Sequence, residues 1–395
     1  MKRIHYLQLM LGALCCTSCI EEYNELPSGQ AEPMVVIDGQ IVSDRECTFS
    51  LFWSAPLGTE SLNAFQPIRH ASVVVEGTDG QRFVGHEGQN PGHYTVPVGE
   101  LSADQEYFVQ IALDSVGTFQ SQPMRPIDTP DIAEFSYEQP RQDRQIDFMI
   151  STADPQSPTC FLWEYDETWE IYTPSTAYWY YWYKQVEGPD PLHPAYEGEF
   201  RPIEPANLTN HGWCTFTGME SVFASNEDYG NGAISKLCLF QRHPNDNRFQ
   251  HRYLARVRQM AISQQEYEYR RLVATQSTEM GGLFTPMPSE LPSNITSQQG
   301  RARAIGFIGV RGKVCETGIY VHRDDVGHRD LYRVELVPDS LVQEPVPMLK
   351  LGYRVIDYDP YSGVAHWGER WIIDCTDAFW SASLRRPDYW RDENE

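Results

Sequence analysis

Between residues 34 and 113 the chain is a series of short apolar and β-branched runs, each closed by a turn sequence, and this limits what it can fold into. Met34-Val35-Val36-Ile37 stops at Asp38-Gly39, Gln40-Ile41-Val42 follows, and residues 48–53 alternate again. Residues 71–76 lead into Thr78-Asp79-Gly80 and return through Arg82-Phe83-Val84. Asp-Gly tolerates the positive φ of a tight two-residue turn, so this reads as a hairpin. Residues 92–96 and 106–113 bring the set to at least six strands. Side chains that repeat every second residue line one face of a strand and cannot form one stripe on a helix.

Strands this short and this closely spaced predict a β-sandwich of the immunoglobulin or prealbumin type over residues 33–123. Pro123, Pro126 and Pro130 then fall close together. Proline cannot donate to a strand ladder and holds the chain extended, so 124–130 reads as a linker. Residues 131–395 read as a larger β-rich domain with one packed helix. Its strands are expected at 146–150, 161–166, 178–183, 253–258, 304–310, 317–322, 332–336, 350–356 and 370–373. The stretch 189–205, rich in Pro, Gly and Glu, is expected to be a surface loop. The helix is placed near 263–280. Ser263-Gln264-Gln265-Glu266 has capping-box spacing, Glu266 and Arg270 are spaced to pair, and Tyr269, Leu272, Val273 and Met280 share one face before Gly281-Gly282.

The amino terminus carries a second strong pattern. Basic Lys2-Arg3 precedes an apolar run that ends at Cys16, far short of the roughly 20 residues a spanning helix needs. Thr17 and Ser18 put small side chains before Cys19. Residues 1–18 therefore read as a lipoprotein signal peptide, Cys19 as the acylated residue, and 19–32 as a polar tether. Several acyl chains anchor stably, at about 0.8 kcal/mol per buried methylene, where one chain is marginal. Glu21 and Glu22 follow the anchor and resemble the surface-export signal of Bacteroidota lipoproteins. The expected location is the outer membrane, lipid-anchored and facing the medium. Cleavage would take the formal charge from −24 to −26 by removing Lys2 and Arg3. So acidic a chain, with no basic patch, is not expected to bind nucleic acid or an anionic membrane surface.

Six cysteines remain beyond the anchor: Cys47, Cys160, Cys214, Cys238, Cys315 and Cys375. An exported protein can form disulfides, and six thiols allow about 15 connectivities. Cys214 with Cys238 is the candidate pair, because the short interval could close inside one hairpin-rich segment. No cysteine has metal-ligand spacing, and no metal or cofactor is expected. His322-Arg323-Asp324-Asp325 with His328 offers metal-ligand types but reads as a charged turn. Asp357-Tyr358-Asp359-Pro360-Tyr361-Ser362-Gly363 lacks the terminal glutamate of a calcium loop and reads as a hairpin turn.

Eleven of the 23 residues 161–183 are aromatic. The unbroken run Tyr178, Trp179, Tyr180, Tyr181, Trp182 and Tyr183 cannot put every ring on one strand face. At least two rings are expected outside, as a ligand or partner surface; the competing reading is a hairpin covered on both faces. No nucleophile elbow, zinc-protease helix or phosphate-cradling loop is present, so a non-enzymatic role is expected.

Tyr267, Pro292-Ser293-Asn294-Ile295, Gly306-Phe307-Ile308-Gly309, Ile373-Asp374-Cys375-Thr376 and Pro387-Asp388-Tyr389-Trp390 stand in an order that resembles the Bacteroidota lipoproteins of the domain-of-unknown-function 4249 family. The resemblance implies an outer-membrane lipoprotein that assists a TonB-dependent transporter in ligand capture or uptake. It brings no chemistry with it. The alternatives are a surface hydrolase of polysaccharide or peptide and a structural envelope protein.

Overall fold

The computed structural model describes residues 33–54, 66–114, 116–139, 145–190, 193–218, 221–279, 292–329 and 333–391. Cys19, Glu21, Glu22, the signal peptide, the tether and Met280 to Gly282 lie outside the described residues. The protein is mainly β.

Two sheets face each other in the amino-terminal part. One carries Val35–Val42, Arg45–Trp53 and His93–Val98 in antiparallel order; the other carries Ser72–Gly77, Tyr107–Leu113 and Gly117–Ser121. Alternate residues point inward, as the period of two requires. Val35, Ile37, Phe49, Leu51, Tyr94, Val96, Val73, Val75, Tyr107, Val109 and Ile111 form one buried cluster. Each large apolar side chain buried this way contributes about 1.5–3 kcal/mol.

The sandwich strands do not all lie before residue 123. Ile295–Gly300 pairs antiparallel with Gly117–Ser121, while Ala304–Ile305 and Ile308–Arg311 pair parallel with Val35–Val42. A segment roughly 180 to 270 residues later thus covers one edge of each sheet, edges that would otherwise present unpaired backbone groups. Gly306 makes the crossing possible: at φ +143, a Cβ there would sit 1.8 Å from the Ile37 carbonyl oxygen. The buried Asn294 amide locks the segment, donating to Ile308 O at 2.8 Å and accepting from Ile308 N at 2.9 Å. The Pro-rich stretch is not a free linker either. Met124 N donates to Tyr107 O at 3.0 Å, Ile127 N to Val310 O at 3.4 Å, and the Thr129 hydroxyl accepts from Ala261 N at 2.9 Å.

A further sheet runs His211–Thr217, Cys160–Tyr172, Arg252–Ile262, Cys315–His322, with Val222–Ser225 also on the long Cys160–Tyr172 strand. Phe161, Trp163, Tyr253, Val257 and Val321 from this sheet meet Ile146, Phe148, Ile150, Leu239 and Phe240 of a three-stranded sheet. Glu167 is fully buried within that contact. Arg242 reaches it with two nitrogens at 2.8 and 2.6 Å, Arg248 at 2.9 and 2.8 Å, and the Tyr253 hydroxyl at 2.6 Å. Full pairing is what lets a charge remain in such a place.

Helix α1, Gln264–Glu279, starts where Ser263 accepts from Glu266 N at 3.2 Å. The other half of the expected capping box is replaced. The Glu266 carboxylate turns inward to Arg311 at 2.6 Å and to Arg270 at 3.0 Å, tying the helix to the sandwich. Val273 is exposed, so the expected apolar face is narrower. Among the described residues two expected strands are not formed: Arg370–Ile372 is a 3-10 turn, and of 332–336, whose first residue lies outside the described residues, only Leu336 joins a ladder. Residue 350 ends the short helix Pro345–Lys350, and the strand begins at Arg354.

Cys214 and Cys238 are not paired. Cys214 lies in the four-strand row and donates to Trp380 O at 3.3 Å; Cys238 lies in the three-stranded sheet and donates to Phe240 O at 3.7 Å. The interval between them crosses from one sheet to another instead of closing as a hairpin. Burial pushes the Cys47, Cys214 and Cys375 thiols up to about 11, which disfavours the reactive thiolate.

Candidate binding surface

The aromatic run forms the first strand of a two-stranded hairpin, Trp179–Asp190 with His193–Pro202. The second strand occupies the stretch expected to be a loop. Residues directly opposite in an antiparallel pair share a face, and the register separates the rings. Trp179 opposes Pro202 and Tyr181 opposes Phe200 on the inner face; Tyr180 opposes Arg201 and Trp182 opposes Glu199 on the outer face.

The inner face rests on the hairpin Arg354–Asp359 with Val364–Gly368. Phe200 stacks on Tyr358 at 4.0 Å, Trp179 meets Tyr358 edge-on at 5.3 Å, and Tyr181 meets Phe200 edge-on at 4.9 Å. Met348, Val355 and Trp367 close this small core. Burial, then the Glu344 charge, raises the Tyr181 phenol above its usual value, so it stays neutral. Gly198 is required by the packing: a Cβ there would lie 2.6 Å from the Tyr181 ring.

Four of the six rings stand outside. Tyr178 is 61% exposed, Tyr180 42%, Trp182 36% and Tyr183 37%, against an expectation of at least two. Trp179 and Tyr181 are half-buried. The Arg201 guanidinium lies 4.0 Å over the Trp182 ring, and its Nε donates to Glu199 at 2.8 Å. That carboxylate raises the already high Arg201 pKa, so the guanidinium stays charged. Lys184 and Glu197 pair at 3.4 Å on the same face. The result is a rigid aromatic surface with charged handles, suited to contact by stacking and hydrogen bonding. The Pro-, Gly- and Glu-rich composition of 189–205 reads as loop and hides Arg201 and Glu199 in the sequence. The alternation Tyr196, Gly198, Phe200 is the signal that would have found their strand.

The other sequence candidates have structural uses. Asp325 accepts from His322 N at 3.0 Å and from the Tyr137 hydroxyl at 3.3 Å, at the short helix Arg323–Val326. Asp359 accepts from Tyr361 N at 2.9 Å and from the Ser362 hydroxyl at 2.6 Å, forming the expected hairpin turn. Among the described residues no group of three or more His, Cys, Asp or Glu is placed to hold a metal ion.

A family model described as "Domain of unknown function (DUF4249)" matches residues 20–314, three quarters of the chain. The chain belongs to the DUF4249 family. The match includes the aromatic hairpin of this DUF4249 member; the motifs at 373–376 and 387–390 lie beyond it. No curated protein matches. Among solved structures, it is similar to a DUF4785 family protein from Legionella pneumophila at 6% identity, over 57% of this chain and 52% of that one. The chain thus spans about half the length of that protein, and the TM-score of 0.17 lends the likeness no weight. No helix among the described residues is long and apolar enough to cross a membrane.

Proposed function

We propose that this DUF4249 member is a lipid-anchored, surface-exposed outer-membrane protein that docks beside a TonB-dependent transporter and assists ligand capture without bond chemistry. The leader with Cys19, and Glu21-Glu22 after it, support the anchor and its exposure. A tether of residues 19–32 reaches at most about 50 Å when fully extended. Held that close to the membrane, the protein meets membrane neighbours at a raised effective concentration, so even a weak contact is occupied much of the time.

The observation that carries the docking is the outer face of the hairpin. Tyr180 and Trp182 stand exposed on a strand fixed from below by Phe200 and Tyr358, so little backbone entropy remains to be lost on contact. Co-purification from solubilised outer membrane tests it. Wild-type protein is expected to bring down a large β-barrel transporter, and the Tyr180→Ala/Trp182→Ala double variant at most a tenth as much. Equal recovery by both, or no barrel with either, would reject the docking.

A further inference from the structure

The sheet that holds Cys160–Tyr172 and Arg252–Ile262 packs one face into the core with the three-stranded sheet. Its other face buries Leu162, Met260 and Ile262 at one end, and at the opposite end forms a cleft of about 360 Å³ lined by Glu170, Tyr172, His251, Arg252, His322, Arg323 and Asp324. The register explains why these residues meet. Trp213 opposes Glu170, and Arg252 opposes His322; Glu170 follows Trp169 just as Arg252 precedes its partner Tyr253. Trp213, Glu170, Arg252 and His322 therefore form one row across four strands. Beyond the row, the Tyr172 ring stacks on His211 at 4.1 Å and tilts against His251 at 4.5 Å, and His211 lies 4.4 Å from Trp213.

Two features point to a ligand. Charge balances, with carboxylates Glu170 and Asp324 against guanidiniums Arg252 and Arg323. The same region also concentrates unspent hydrogen-bonding capacity. Arg252 Nε on the cleft wall, Trp213 Nε1 opposite Glu170, and Gln250 Oε1, whose amide donates to Tyr172 O, are shielded from solvent with no protein hydrogen-bond partner, and His211 Nε2 has only Glu170 Oε1, at 3.7 Å. Arg252 is only 8% exposed, held by Arg391 O at 2.7 Å and packed on Tyr320 and Trp390. A buried polar group left unpaired costs about 1–3 kcal/mol, and Arg252, on the cleft wall, has a donor that an occupant carrying an acceptor would satisfy.

We propose that this cleft binds a neutral polyhydroxylated ligand, a sugar unit of a glycan. A carboxylate beside a guanidinium fits a molecule whose hydroxyls donate to one and accept from the other. An anion would meet Glu170 and Asp324, and a cation Arg252 and Arg323. Glu170, Tyr172 and Arg252 stand on the two inner strands of the sheet, and Arg323 and Asp324 on the short helix Arg323–Val326, so these walls offer side chains and little unpaired strand backbone for an extended peptide to join. A volume of about 360 Å³ is at the small end of ligand sites, which favours one or two sugar units over a long chain. This site does not depend on the hairpin's role, and the variants below separate the two.

Saturation-transfer NMR on the full chain provides the test. The probes are glucose, galactose, mannose, xylose and their disaccharides, with glucuronate and the dipeptide Ala-Ala as comparisons. At least one neutral sugar is expected to bind, with affinity lowered tenfold or more in Glu170→Gln and Tyr172→Ala and unchanged in Tyr180→Ala/Trp182→Ala. Should the buried Glu170 variant fail to fold, Tyr172→Ala, altered at a 38% exposed ring, decides alone. The proposal is overturned if no neutral sugar gives transfer, if Tyr172→Ala binds as the wild type does, or if glucuronate or Ala-Ala competes better than every neutral sugar.

Discussion

At the scale of single residues, Glu266 joins helix α1 to the sandwich. It is 2% exposed, and its partner Arg311 is fully buried. Burial alone would raise the Glu266 pKa, but the Arg311 and Arg270 charges outweigh it and hold the carboxyl below its usual 4.5. A carboxyl lowered on folding stabilises the protein above its unfolded pKa, and that contribution is lost as pH falls through the folded value. Unfolding by urea should therefore show stability falling below about pH 4.5, and Glu266→Gln should flatten that slope. At pH 7 Glu266→Gln is expected to cost about 3–5 kcal/mol, because it leaves the Arg311 charge buried without its counterion. The same midpoint in both proteins at pH 7 would contradict this. The sequence marks Ser263 and Glu266 as a cap and Arg270 as a partner. It gives no sign of Arg311, which lies 45 residues away and arrives on a strand of the other unit.

At the scale of elements, the aromatic hairpin separates stability from contact. Tyr181 packs on Phe200 beneath the strand, while Tyr180 stands above it. Tyr181→Ala should destabilise by about 2–4 kcal/mol, since it opens a gap under the hairpin, whereas Tyr180→Ala should stay within about 0.5 kcal/mol. Thermal melts check both, and equal shifts would mean that the two faces are not distinct. The first strand was legible because six consecutive rings must divide between two faces. The second was hidden by Pro194, Gly198 and Pro202, which read as turn residues. Yet Gly198 is there because a larger side chain would strike Tyr181. The cleft was less legible still: Glu170, Arg252 and His322 come from three strands, and only the pairing register aligns them.

For the whole molecule, the sandwich is made from two distant parts of the chain. Composition and alternation indicate its strands, including residues 304–310, but local pattern cannot show which strand pairs with which. A fragment of residues 33–123 would lack the strands Ile295–Gly300 and Ile308–Arg311, leaving two sheet edges open. It is expected to aggregate or to give poorly dispersed amide NMR spectra, and a well-dispersed monomer would show that the later segment is dispensable. On the proposed reading the wider fold is a platform, with the sandwich nearest the anchor and the second part carrying the hairpin and the cleft.

Attachment of that platform to the membrane through Cys19 is most directly tested by mass spectrometry of the amino-terminal peptide from native cells. The expected peptide begins at Cys19 and carries the added mass of a diacylglyceryl thioether and an amide-linked acyl chain. An unmodified thiol at Cys19, or a peptide with residues 1–18 still attached, would contradict it.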